Sequence, residues 1–207
     1  MSLVDISQRV DARVAVFPGD TPFSIRKVMA LAEGASCDVG TVTTTLHAGT
    51  HADAPAHFAE GAPGIGEVPL ERYFGPARVV ERLGDGPITA DEVRGWRLAK
   101  GLRCLVRTRA EVDPTVFPAA VAHHAPEAAG ELAAAGVALY GIDTPSVDHR
   151  DSKTLDAHKT LLAGEVAILE NLDLSHVRPG YYELIAFPLR LAGADASPVR
   201  AVLRTLM

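Results

Sequence analysis

Glycine and proline break this chain into short pieces, with 18 glycines and 14 prolines across 207 residues. FPGDTP at 17–22 and EGAPGIGEVP at 60–69 are loops by that content. The run between them, Gly40 to His47, is rich in β-branched residues and predicts a strand. Further strands are predicted at 77–83, 102–108, 137–142, 166–170 and 183–189. Two segments carry helix starts. Thr89 with Glu92 forms a capping box and predicts a helix through about Leu98. Pro126 opens an Ala-rich helix that Gly136 can end as a left-handed cap. The segment 199–206 fits a helix or a strand equally by periodicity. The balance is a β-rich α/β protein, with too few helices to cover both faces of a doubly wound sheet. No linker or repeat divides the chain. Its length favours one domain, or two small ones tightly merged, and it is read as one domain over 1–207.

Composition narrows the partners. A 47% hydrophobic content supports a sizeable core, and a 22% charged fraction is that of an ordinary globular protein. The net charge of −6 argues against nucleic acid, because phosphate binding needs clustered Lys and Arg. The densest basic stretch, Arg94 to Arg109, is interrupted by apolar residues throughout. Asp5, Arg9, Asp11 and Arg13 stand where a signal peptide needs an apolar run, and no stretch approaches the ~18 apolar residues of a membrane span. Cys37 and Cys104 form no CxxC pattern and are expected as buried free thiols rather than a disulfide. The expectation is a cytoplasmic protein with no membrane and no nucleic-acid partner.

The chemistry is concentrated in His47-Ala-Gly-Thr-His51-Ala-Asp53-Ala-Pro-Ala-His57, where three of the eight histidines share eleven residues with an aspartate. Imidazole nitrogen and carboxylate oxygen suit zinc and similar divalent ions, and three protein ligands leave a position open for water. Gly49 and Pro55 argue against a regular helix here, so a loop leaving the strand end at His47 is expected to wrap these groups around an ion. Downstream, His158 lies on the polar segment LDAHK and Glu170 closes the apolar strand of 166–169. Taken alone, these two read as ordinary surface positions.

The run LHAGTHADAPAHF resembles the signature of the cyclase family, which includes bacterial kynurenine formamidases and isatin hydrolases. FPGDTPF at 17–23, YGIDTPSVDHRDSKTLDAH at 140–158 and the stretch from Ile168 to Leu203 resemble the formamidases in particular. The resemblance spans nearly the whole chain in order. It implies a swivelling β/β/α fold, a homo-oligomer of at least a dimer, and two zinc ions per subunit, with manganese as the alternative. His47, His51 and Asp53 would hold one ion, and Asp53, His158 and Glu170 the other, with Asp53 bridging. His57 matches the family's catalytic acid–base residue and is not counted as a ligand.

The implied reaction is hydrolysis of N-formyl-L-kynurenine to L-kynurenine and formate, a step of tryptophan degradation. Formamidases usually carry Trp before Pro-Gly-Asp, where it contacts the aromatic substrate. Here Phe17 holds that place, keeping an aromatic face without the indole donor. In the loop Asp143-Thr-Pro-Ser146 two readings stand open: a simple turn, or polar contacts to the site. Two rival functions remain. An isatin hydrolase, opening a cyclic amide with manganese, needs the same ligands. A non-catalytic zinc protein would saturate its ion with four ligands and favour thiolates, which the motif lacks.

Overall fold

Short strands carry the chain, as its frequent turns predict. The computed structural model describes residues 2–206. In chain order these fold as β1 (Leu3–Asp5), β2 (Ser24–Met29), β3 (Val39–Thr43), β4 (His51–Asp53), β5 (Phe74–Glu81), β6 (Gly86–Ile88), α1 (Ala90–Gly95) and β7 (Arg103–Arg107). There follow β8 (Ala122–His124), α2 (Pro126–Ala134), β9 (Leu139–Ile142), α3 (Asp156–Ala163), β10 (Ala167–Glu170), β11 (Gly180–Ile185), β12 (Ala196–Pro198) and β13 (Val202–Thr205). A nine-stranded sheet runs in the order β1-β13-β11-β5-β7-β9-β10-β4-β12 and curls as a half-barrel. Its middle, β5-β7-β9-β10, is parallel, and each parallel step is made by a crossover carrying one helix. Both flanks are antiparallel.

The pleat sorts the core. Cys104 and Val106 of β7, Tyr140 and Ile142 of β9 and Ile168 of β10 pack with Val93, Leu132 and Leu161 of the three helices. The intervening Leu105, Leu139 and Leu169 point to the opposite face. There they join Ile65, Tyr73, Leu172, Leu184 and Leu203, contributed by flanking strands and loops. Helices therefore cover one face only, as their small number predicts. Gly141 lies where β9 meets this second core: a Cβ there would fall 2.5 Å from Leu105 Cδ2 and 2.8 Å from Leu172 Cδ1, so only glycine fits without displacement.

The helix signals act as expected at their starts. Thr89 Oγ1 accepts from the Glu92 N–H at 3.3 Å, and the Glu92 carboxylate accepts from the Thr89 N–H at 2.7 Å. The helix is shorter than predicted, stopping at Gly95, and Arg97 then turns left-handed at φ 49°. Pro126 opens α2 and Gly136 closes it at φ 65°. The ambiguous segment 199–206 contains strand β13, paired to β1 and β11 on either side. The strand expected over 40–47 stops at Thr43 and pairs with β2 in a separate hairpin. Both cysteines are free thiols, as expected, but only Cys104, on a central strand, is buried; Cys37, in the turn before β3, is exposed. Among the described residues no helix is long and apolar enough to cross a membrane.

Candidate metal centre

The segment expected as a loop around an ion contains a strand at its middle. Gly49, at φ 63° and with its Cα close enough to Val10 that a Cβ would sit 2.6 Å from Cγ2, turns the chain between His47 and His51. After Thr50, the three residues of β4 enter the sheet between β10 and β12, with His51 opposite Glu170 and Asp53 opposite Ile168. Ala52 points into the core of the helix-free face. His51, Asp53 and Glu170 consequently project together on the helix-bearing face, beside Ile168. Helix α3 buries Ala157, His158 and Leu161, and its His158 reaches the same point.

The five groups converge closely. Asp53 Oδ1 lies 3.3 Å from His47 Nδ1 and 3.4 Å from His51 Nε2, while Asp53 Oδ2 lies 3.4 Å from His158 Nε2. Glu170 Oε1 is 3.3 Å from His158 Nε2, and Oε2 is 3.4 Å from His51 Nε2. Two ligand-capable sets result, His47–His51–Asp53 and Asp53–His158–Glu170, which share Asp53. Each oxygen of that carboxylate faces a different set.

These separations suit a divalent ion. Donor atoms about 2.1 Å from a tetrahedral ion stand about 3.4 Å from one another. His51 Nε2 and both carboxylate oxygens of Asp53 are buried without a hydrogen-bond partner among the described residues. Buried polar atoms are rarely left so, and a cation between them would satisfy all three. The donor set fits a metal on both counts.

Charge points the same way. Burial works to keep His51 neutral, but the carboxylates of Asp53 and Glu170 override it and raise its pKa to about 10. Burial likewise opposes a charged His158, and Asp148, Asp53 and Glu170 together hold it well above the ordinary histidine value. Asp53 and Glu170 stay below the usual carboxylate range despite burial, because the neighbouring imidazoles stabilise their negative form. The centre is thus anionic and collects protons where no other cation supplies the charge.

One supporting residue was not foreseen. The buried Asp148 accepts a hydrogen bond from His158 Nδ1 at 2.6 Å, fixing which ring nitrogen faces Asp53. The same carboxylate accepts the backbone N–H groups of Ala157 and His158, at 3.0 and 3.1 Å, and so caps α3. Glu170 is steadied by the Val147 N–H at 2.8 Å, and His51 by the Gly49 carbonyl at 2.9 Å from Nδ1. Nothing in the spacing of Asp148 marks it out, since its partners are set by a turn and a helix start.

His57 stands apart from the buried groups. It lies in a short turn after Pro55, its side chain 32% exposed, with its ring centroid 4.3 Å from that of His47. It belongs to a third group with His47 and Asp195, whose Oδ2 lies 3.6 Å from His57 Nδ1 and 3.1 Å from His47 Nε2. Asp195 is a second residue that local sequence did not single out. Burial, reinforced by the positive charge of His47 against the pull of Asp53, lowers the pKa of His57 and keeps it neutral at pH 7.

All this opens into a cleft of about 350 Å³, lined by His47, His57, His158 and Glu170 and also by Phe17. Phe17 meets Phe117 edge to face, at 5.5 Å between centroids. In the Asp143–Ser146 loop the two readings divide by residue. Asp143 is fully buried and accepts the backbone N–H groups of Thr108 and Arg109, tying β7 to β9, whereas Ser146 lines the cleft.

Fold and site together define an α/β protein with two candidate metal-ligand sets that share the carboxylate of Asp53. The model of the Cyclase family matches residues 4–149. Kynurenine formamidase of Paracidovorax citrulli (strain AAC00-1) is 45% identical over 208 residues, covering 98% of this chain and 96% of that protein. A solved structure of a potential metal-dependent hydrolase with cyclase activity superimposes with a TM-score of 0.85 at 27% identity, over 98% of this chain and 96% of that one. A predicted metal-dependent hydrolase from Bacillus stearothermophilus gives 0.84 at 26%, over 98% and 97%. The chain belongs to the cyclase family, and its fold is the swivelling β/β/α fold that the sequence resemblance implied.

Proposed function

We propose that the protein is a metal-dependent amidase that hydrolyses N-formyl-L-kynurenine to L-kynurenine and formate, acting as one domain over residues 1–207. The observation that carries this reading is the carboxylate of Asp53, with one oxygen toward His47 and His51 and the other toward His158. The 45% identity to a kynurenine formamidase supports the choice of substrate. In this reading His47, His51 and Asp53 hold one zinc ion and Asp53, His158 and Glu170 a second, with manganese as the alternative metal. Ions held there supply acidity to a bound water and polarise the formyl carbonyl.

The protein's own groups do the remainder. Neutral His57, beside the ligands and open to the cleft, takes a proton from the attacking water and returns it to the departing arylamine. Phe17, with Phe117 at its edge, offers an apolar face to the aryl ring. The protein works in the cytoplasm as a homodimer. The hairpin β2–β3 supports that assembly, because every residue in its strands is exposed and Ile25, Val28, Met29, Val39 and Val42 are apolar. A two-stranded hairpin is marginal in water, and a second copy would cover these side chains.

The test is turnover by purified enzyme of N-formylkynurenine, followed by kynurenine absorbance, beside isatin. Preferential hydrolysis of formylkynurenine, abolished by exhaustive chelation, is expected. Faster turnover of isatin would overturn the substrate, and full activity without detectable metal would overturn the metal reading.

A further inference from the structure

The cleft carries two arginines that amide hydrolysis itself does not require. Arg150 is already engaged: its Cζ lies 5.6 Å from the centre of the Phe117 ring, and Nη1 donates to the carbonyls of Pro118 and Ala119 at 3.3 and 3.2 Å. Arg109 is different. The carboxylate of Asp143 accepts its backbone N–H at 3.0 Å, which fixes the residue at the cleft wall just beyond β7. Its side chain is half-buried, and among the described residues the guanidinium makes no hydrogen bond or ion pair. A guanidinium partly removed from water and without a carboxylate in direct contact gains most from one, which its planar fork binds with two parallel hydrogen bonds.

The complementary charge lies four residues on. Asp113 also lines the cleft. Its Oδ1 accepts the Thr115 N–H and hydroxyl at 2.8 and 2.6 Å, while Oδ2 has no partner among the described residues. After those Thr115 bonds, the charges of Arg109 and Arg13 hold its carboxyl below the usual range, so it is anionic at neutral pH. One cleft thus offers an aromatic wall, a cation and an anion within a volume suited to one small molecule.

We propose that Arg109 and Asp113 form a subsite for an α-amino acid group, Arg109 receiving the carboxylate and Asp113 the ammonium. This rests on the formamidase reading and deepens it, because formylkynurenine carries such a group on the arm beside its formamide. The subsite separates amino-acid-bearing aryl formamides from plain ones.

Three substrates on the metal-loaded enzyme test it: N-formylkynurenine, its desamino analogue, which keeps the carboxylate, and 2-formamidoacetophenone, which has neither charge. Arg109→Gln should raise KM about 10- to 100-fold for the first two, the scale of a charge-assisted hydrogen bond. It should leave 2-formamidoacetophenone within about twofold, which also certifies that the variant is folded and metal-loaded. Asp113→Asn should raise KM for formylkynurenine alone. If Arg109→Gln changes all three substrates in the same proportion, or changes none, the subsite is wrong and formamide hydrolysis stands. If the wild type hydrolyses none of the three, the formamidase reading falls and the subsite with it.

Discussion

Replacing Asp148 with alanine isolates how much the centre depends on the group behind it. The side chain is 93% enclosed and accepts three hydrogen bonds, from His158 Nδ1 at 2.6 Å and from the backbone of Ala157 and His158 at 3.0 and 3.1 Å. A helix cap contributes about 0.5–2 kcal/mol. A hydrogen bond to a charged group contributes about 1.5–3 kcal/mol. The interactions share one carboxylate and do not add fully, so a loss of about 2–4 kcal/mol follows. For a chain of this length that is a fall in Tm of about 5–15 °C. Freed of Asp148, the imidazole can also rotate, and losses of this kind cost about 10- to 100-fold in metal affinity. Asp148→Asn keeps the shape and part of the cap, so it should lose less stability while still losing affinity. Thermal melts of the metal-free proteins and zinc competition against a chromophoric chelator give both numbers. If Asp148→Ala melts with the wild type and binds zinc as tightly, the coupling of α3 to the centre through this carboxylate is refuted.

Three further outcomes follow from the same geometry. His57→Ala should keep its metal and its Tm while turnover falls about 10²- to 10⁴-fold, whereas His51→Ala should lose metal, activity and stability together; equal depletion of metal in both, by elemental analysis, would make His57 a ligand. In metal-free protein the pKa of His51 rises from 6.5 to about 10, so its contribution is complete below pH 6.5 and lost as pH climbs through 10. Melts of chelated protein should therefore weaken across that window, and zinc added at pH 7 should release protons, seen calorimetrically in buffers of different ionisation enthalpy. A Tm that climbs over the same range contradicts the charge balance. Gly141→Ala must push a methyl against Leu105 and Leu172, at 2.5 and 2.8 Å, and should cost about 1–3 kcal/mol in urea unfolding; an unchanged midpoint would mean the second core yields freely there.

Local chemistry was enough to reveal half of the centre. His47, His51, Asp53 and His57 lie within one short run, and the alternation of His51 and Asp53 already puts both on one side of an extended chain. The starts at Thr89 and Pro126 and the stop at Gly136 were legible because caps are satisfied by residues within a turn of one another. The Gly and Pro breaks likewise set the β-rich character of the fold. Resemblance, not spacing, singled out His158 and Glu170, since each alone looks like a surface position.

Tertiary structure decided everything that depends on a distant partner. His51–Asp53 is a strand only because β10 and β12 supply hydrogen-bonding edges on both sides of three residues whose own sequence contains no strand signal. Glu170 comes opposite His51 through that register, and His158 arrives because Asp148 starts α3 where it does. Asp195 near His57, and Phe17 against Phe117 in the same cleft, are brought together from loops far apart in the chain. A sequence declares what a residue can bind within its own turn or strand. Which groups face one another across a sheet is fixed by strand order and register, and those follow from the packing of the whole core.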